Sequence, residues 1–115
     1  MAKGYIRSGS SEIQTLKATI AATIAANDLV LNNGLLLVAL NDSATSVEAV
    51  FGYAAPKVQV PKEAPLVINA GDLVYWVAAN SNVNKTSSGN TKCGICVAGA
   101  ASADTTVLIE LRPAY

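Results

Sequence analysis

The chain has 115 residues, 51% of them hydrophobic and 14% charged, with eight Lys/Arg against eight Asp/Glu and no His. That length suits a single domain whose core needs no disulfide or metal staple. Balanced charge with no Lys/Arg cluster gives no field to draw phosphate backbones or anionic lipid, so neither nucleic acid nor membrane is expected as a partner.

Mean hydropathy is +0.37, high for so few charges, and part of the apolar surface is expected to face a partner. Lys3 and Arg7 precede "SGSSEIQTLK" rather than an apolar leader. The stretch from Ala18 to Leu40 is broken by Asn27, Asp28, Asn32, Asn33 and Gly34 and cannot span a bilayer. A soluble, unexported protein is the expectation.

Residues 1–12, rich in Gly and Ser, read as an extended amino-terminal arm, and residues 13–115 as one β domain. From Ile13 to Ala26 two periods compete. Ile13, Leu16, Ile20 and Ile24 have helical spacing behind Ser11, but Leu16, Ala18, Ile20, Ala22 and Ile24 alternate against Thr15, Lys17, Thr19 and Thr23. The β-branched content favours strand.

"DLVL", Asn32-Asn33-Gly34 and "LLLVAL" predict a hairpin, because Asn-Gly supplies the positive φ angles of a primed turn. Asn41-Asp42-Ser43 closes it. Val47, Ala49, Phe51 and Tyr53 alternate in the next strand, which Pro56 is expected to interrupt before a short "KVQV". "PLVIN", the Ala70-Gly71-Asp72 turn, "LVYWVAA", "VNKT", the "SSGN" turn, "KCGICVAG" and "TTVLIEL" follow. Short strands at this spacing predict an all-β fold, a small β-sandwich or jelly-roll-like β-barrel.

In "LVYWVAA" one face carries Leu73, Tyr75 and Val77 and the other Val74, Trp76 and Ala78. A strand apolar on both faces needs two covers, and without helices the second is either a curling sheet or another subunit. A homo-oligomer is therefore expected.

The chemistry of catalysis is sparse. Without His the usual triad and most zinc and iron sites are gone. Cys93-Gly94-Ile95-Cys96 has redox or zinc spacing, but no other Cys or His exists to complete a metal site. In a strand, positions three apart point to opposite faces, so two reduced, buried thiols are expected. Carboxylates such as Asp28, Asp42, Asp72 and Asp104 sit beside turn residues and read as turn formers. No phosphate-cradling loop or nucleophile elbow occurs. No enzyme activity and no cofactor or metal are expected. Tyr53, Tyr75 and Trp76 lack a basic groove and read as core or subunit-interface packing.

The segment from Ala70 to Leu111 resembles the carboxyl-terminal half of a family of small tailed-phage head proteins, the capsid cement or decoration proteins. The shared features are Gly71-Asp72 leading to Tyr75-Trp76, the Gly89-Asn90 turn, Gly94 through Ala98, and Ala103-Asp104-Thr105-Thr106 before Val107. Weaker similarity runs through "NDLVLNNGLLLVALND" and "APK" to "GYIRSG". Ala103 stands where the family often has Gly, and Cys93 and Cys96 where aliphatic residues are commoner. Some members carry a recombinase-like label, which the missing nucleotide-binding loop does not support here.

The resemblance implies a non-enzymatic structural protein made in the bacterial host cytoplasm and placed on the outer surface of the virion capsid. Its implied partners are the major capsid protein of an expanded shell and further copies of itself, a homotrimer in preference to a homodimer. Candidate capsid or subunit contacts are Tyr5, Ile6 and Arg7 in the arm, Tyr53, Tyr75 and Trp76 in the domain, and Pro113 and Tyr115 at the carboxyl end. The competing reading is a virion-surface glycan-binding or adhesion module using the Tyr and Trp rings.

Overall fold

The computed structural model describes residues 2–7, 13–32 and 34–112, and among them every regular element is a strand. In chain order these are β1 (Tyr5–Ile6), β2 (Gln14–Thr19), β3 (Leu29–Asn32), β4 (Leu35–Ala39), β5 (Glu48–Pro61), β6 (Leu73–Val77), β7 (Asn82–Asn84), β8 (Thr91–Ala98) and β9 (Thr106–Leu111). The sheet order is β3-β4-β5-β9-β8-β6-β7, every pair antiparallel, with β1 and β2 joined to the remaining edge of β5. The sheet curls: a parallel bridge between Lys62 and Val83 ties its far end back to the residue after β5. This is the small all-β architecture expected from the turn spacing.

β5 organises the molecule. Its first half pairs with β2 and β4, and its second half with β1 and β9. The expected break at Pro56 does not occur. Pro56 lies in a register shift between Ala55 and Val58, where one extra residue on β5 opposes β9. A bulge leaves that residue outside the ladder, so a ring nitrogen with no N–H removes nothing from it.

The strand reading of residues 13–26 holds as far as Thr19. Leu16, Ala18 and Ile20 turn inward, after which the chain bends and Ile24 returns to the interior through a bridge with Ser43. The β3–β4 hairpin has the expected register, Asn32 opposite Leu35, with Gly34 at φ 80°. "PLVIN" is not a strand: only Ile68 makes a bridge, to Ala100.

Two cores result. The larger fills the curl with Val58, Val60, Val74, Trp76, Ile109 and Leu111, and is closed by Leu29, Leu36 and Val38 from the hairpin. The smaller gathers Ile24, Val30, Leu37, Ala39, Ala49 and Phe51. The hairpin is thus a middle layer with both faces buried. Lys62, 4% exposed, closes the base of the curl, its Nζ donating to the carbonyls of Glu63 at 2.8 Å and Leu66 at 2.5 Å.

Three strands are launched by the same device. The N–H groups of Ala25, Asn69 and Ala101 donate to the carboxylates of Asp28, Asp72 and Asp104 at 2.8, 2.9 and 2.9 Å. Each aspartate N–H donates back to the carbonyl three residues earlier, at 3.0 Å in every case. These reciprocal clasps precede β3, β6 and β9, so these aspartates make turns.

Candidate functional site

The strand β6 separates the two faces that the sequence left equal. Val74 and Trp76 enter the larger core, whereas Leu73 remains 39% exposed and Tyr75 and Val77 half-buried on the outside. Directly opposed residues in an antiparallel pair share a face. One outward row therefore runs Leu73–Ile95–Glu110, and a second runs Ala98–Leu108–Gln59–Tyr5. Tyr75 opposes Lys92 beside the first row, and Val97, 39% exposed, lies at the bulge between Cys96 and Ala98. The outcome is an apolar surface of Leu73, Tyr75, Ile95, Leu108 and Tyr5 set with a few charged groups.

Arg7 borders that surface. Its guanidinium lies 5.5 Å from the Tyr5 ring centroid and donates to Gln59 Oε1 through Nε at 3.2 Å and Nη2 at 2.9 Å. Gln59 Nε2 donates on to Thr106 Oγ1 at 3.3 Å. Of the other candidate residues, Ile6 packs against the larger core, Tyr53 packs against the smaller one, and Trp76 is only 5% exposed. Pro113 and Tyr115 lie outside the described residues. The structure places Tyr5, Arg7 and Tyr75 along the outer face of the curled sheet. Leu73, Ile95 and Leu108 join them although sequence reasoning did not single them out as contacts; their signal was alternation within β6, β8 and β9.

Residues 2–7 are fastened to β5 and to the start of β3. Gly4 N–H donates to the Asn27 carbonyl, Leu29 N–H to the Ala2 carbonyl and Arg7 N–H to the Lys57 carbonyl. Lys3 Nζ contacts Asp28 Oδ1 at 2.5 Å. Burial alone would raise the Asp28 carboxyl, but the Lys3 hydrogen bond, the Ala25 N–H and the ammonium charge outweigh it and hold it below the ordinary aspartate range. A depressed folded-state value gives stability that is present above the unfolded value, about 3.9, and lost as pH falls through the folded one. Unfolding measured by circular dichroism is thus expected to show a loss of stability below about pH 4 that Asp28→Asn lacks. At neutral pH, Lys3→Met is expected to cost about 2 kcal/mol.

The thiols do not obey simple alternation. Tyr75 opposes Lys92 while Val74 opposes Gly94, so Cys93 is the extra residue of a bulge. That slip puts Cys93 and Cys96 in the same core, correcting the expectation of opposite faces. Both are free and buried. Burial pushes the Cys93 thiol up to about 12; the Cys96 thiol is raised by burial and by the Asp72 charge, against the opposing effect of a backbone hydrogen bond with Ala98. Thiols held protonated are poor nucleophiles. Replacing both with Ala is expected to lower stability by about 1–2 kcal/mol, read as a lowered unfolding temperature with the cooperative transition kept. Among the described residues no group of three or more His, Cys, Asp or Glu could hold a metal.

The family model for the phage cement proteins matches residues 10–111. The chain belongs to the phage cement protein family. The family is a structural one whose members act on the phage capsid, and this cement-family chain shares that capsid-stabilising kind of role and that place in the virion. No curated protein and no solved structure matches it.

Proposed function

We propose that this chain binds the outer surface of the expanded phage capsid as a homo-oligomer, a homotrimer in preference to a homodimer, and stabilises the shell. The contrast between β4 and β6 carries this reading. β4 is apolar on both faces and both are covered within the chain, while the outer face of β6 and its neighbours has no cover from the described residues. An apolar face flanked by charged groups is what subunit and shell contacts require.

Stabilisation then follows by mass action. A protein that binds only the mature lattice adds its binding free energy to that state. A symmetric oligomer gripping two or three shell subunits makes later contacts intramolecular, raising avidity by roughly 10²–10⁴ over one site. The arm, residues 1–12, serves as a strap whose described part, residues 2–7, is clasped along β5 and β3, and residues 13–115 form the domain. Pro113 and Tyr115 serve as a second strap. The protein is made in the host cytoplasm, and its partners are the major capsid protein and its own copies.

The test mixes purified protein with expanded shells lacking it and measures bound copies and the temperature of shell disruption. Retention with a raised disruption temperature is expected; nil occupancy with an unmoved temperature rejects the reading. Glycan binding gains less support. Trp76 is buried, and the cavities of about 390 and 360 Å³ have no aromatic residue among their lining groups.

A further inference from the structure

We infer that Arg7 is a preset anion anchor that takes a carboxylate of the capsid shell in the cavity beside the outer face. This deepens the capsid-binding reading and rests on it.

The cavity, about 360 Å³, is lined by Arg7, Gln59, Ala98, Gly99, Thr106 and Leu108 among others. It adjoins the exposed Tyr5 and Val97, so a partner covering the apolar face reaches it. The guanidinium is already oriented. Tyr5 supports one side, and Gln59, itself bonded to Thr106, accepts from Nε and Nη2. Orientation before contact removes much of the ordering cost that a long side chain carries into an interface.

The charge is not neutralised at home. Among the described residues no carboxylate lies within ion-pair distance of Arg7, and its Nη1 donors are uncommitted there. A planar fork with free donors at the rim of a hollow fits the two oxygens of an Asp or Glu side chain. Asp104 also lines the cavity, but its Oδ2 is turned to the Ala101 N–H in its clasp.

The shell is the better source of that carboxylate than a second copy. Among the described residues Asp28, Asp72 and Glu110 are held by Lys3, Lys85 and Arg112, and Asp42 and Asp104 by backbone N–H groups, while Glu48, opposite Thr19 at the start of β5, and Glu63, beside the buried Lys62, belong to neither row of the outer face.

The experiment titrates full-length wild type, Arg7→Gln, Arg7→Lys and Gln59→Leu onto expanded shells at low and high salt. Solution mass and unfolding temperature are measured alongside. Arg7→Gln is expected to weaken retention roughly ten- to a hundredfold at low salt and to flatten its salt dependence, without changing solution mass or unfolding temperature. Arg7→Lys should fall between, having charge without the fork. Gln59→Leu, which keeps the charge and frees its orientation, should lose part of the affinity. Retention of Arg7→Gln equal to wild type, with the same salt response, overturns the anchor. A change of solution mass with unchanged retention overturns the shell as the source and moves the contact between copies. Failure of wild type itself to bind overturns the capsid reading and this contact with it.

Discussion

Replacing Gly94 with Ala is expected to abolish the native fold or destabilise it by about 3 kcal/mol or more, read as loss of the cooperative unfolding transition or a sharply lowered unfolding temperature. A Cβ at this position would stand 2.0 Å from the carbonyl oxygen of Glu110. The obstacle is backbone of the neighbouring strand, so no side-chain rotation relieves it. Gly94 pairs with both Val74 and Leu111 at the centre of the large sheet. Room for a methyl group therefore means parting β8 from β9. Gly4 makes the contrast: an added Cβ there meets the Leu29 Cδ2 at 2.6 Å, the end of a side chain with other rotamers, and Gly4→Ala should be the milder change.

Leu73→Asp is expected to remove most capsid retention while leaving the fold in place. Leu73 is already 39% exposed, so the carboxylate stays hydrated in the free protein. Burial of the outer face against a partner would strip that water, at a cost expected to match an interface hot spot of about 2 kcal/mol or more per site. Avidity compounds the loss, since each copy in an oligomer loses it together. Val47→Asp is the control, because Val47 is 51% exposed beside the smaller core and away from this face. Binding of Leu73→Asp to expanded shells at the wild-type level would place the docking surface elsewhere.

The parts legible in the sequence were those set by local chemistry. The β3–β4 hairpin turned at Gly34, the Gly71-Asp72 turn launched β6, and turn-forming aspartates proved to be reciprocal clasps. The parts misread depend on bulges. Pro56 looked like a break because an N–H missing from a regular ladder breaks it, yet tertiary pairing placed it in a bulge. Cys93 and Cys96 looked set on opposite faces of their strand because alternation assumes one residue per ladder step. A second slip, against β9 between Cys96 and Ala98, disguised which residues of β8 share a face with Leu73 and Tyr5.

The candidate site was legible in part for a similar reason. Tyr5 and Tyr75 stood out as aromatics, whereas Ile95 and Leu108 are ordinary aliphatics whose outward position follows only from register. Trp76 stood out most and lies in the core, since the face a residue takes is decided by its place along the strand.

The unbroken course of β5 past Pro56 has a mechanical consequence. A shell packed with nucleic acid pushes outward, and on the proposed reading a protein bridging its subunits is stretched along its own body. One strand, Glu48–Pro61, runs from the part bearing the smaller core into the part bearing the outer face. Tension between the halves is carried along that strand and resisted by its ladder bonds to β2, β4, β1 and β9 acting in shear, many at once. A tether built in this way extends little before it fails, and a material that binds plates under pressure needs stiffness of that kind.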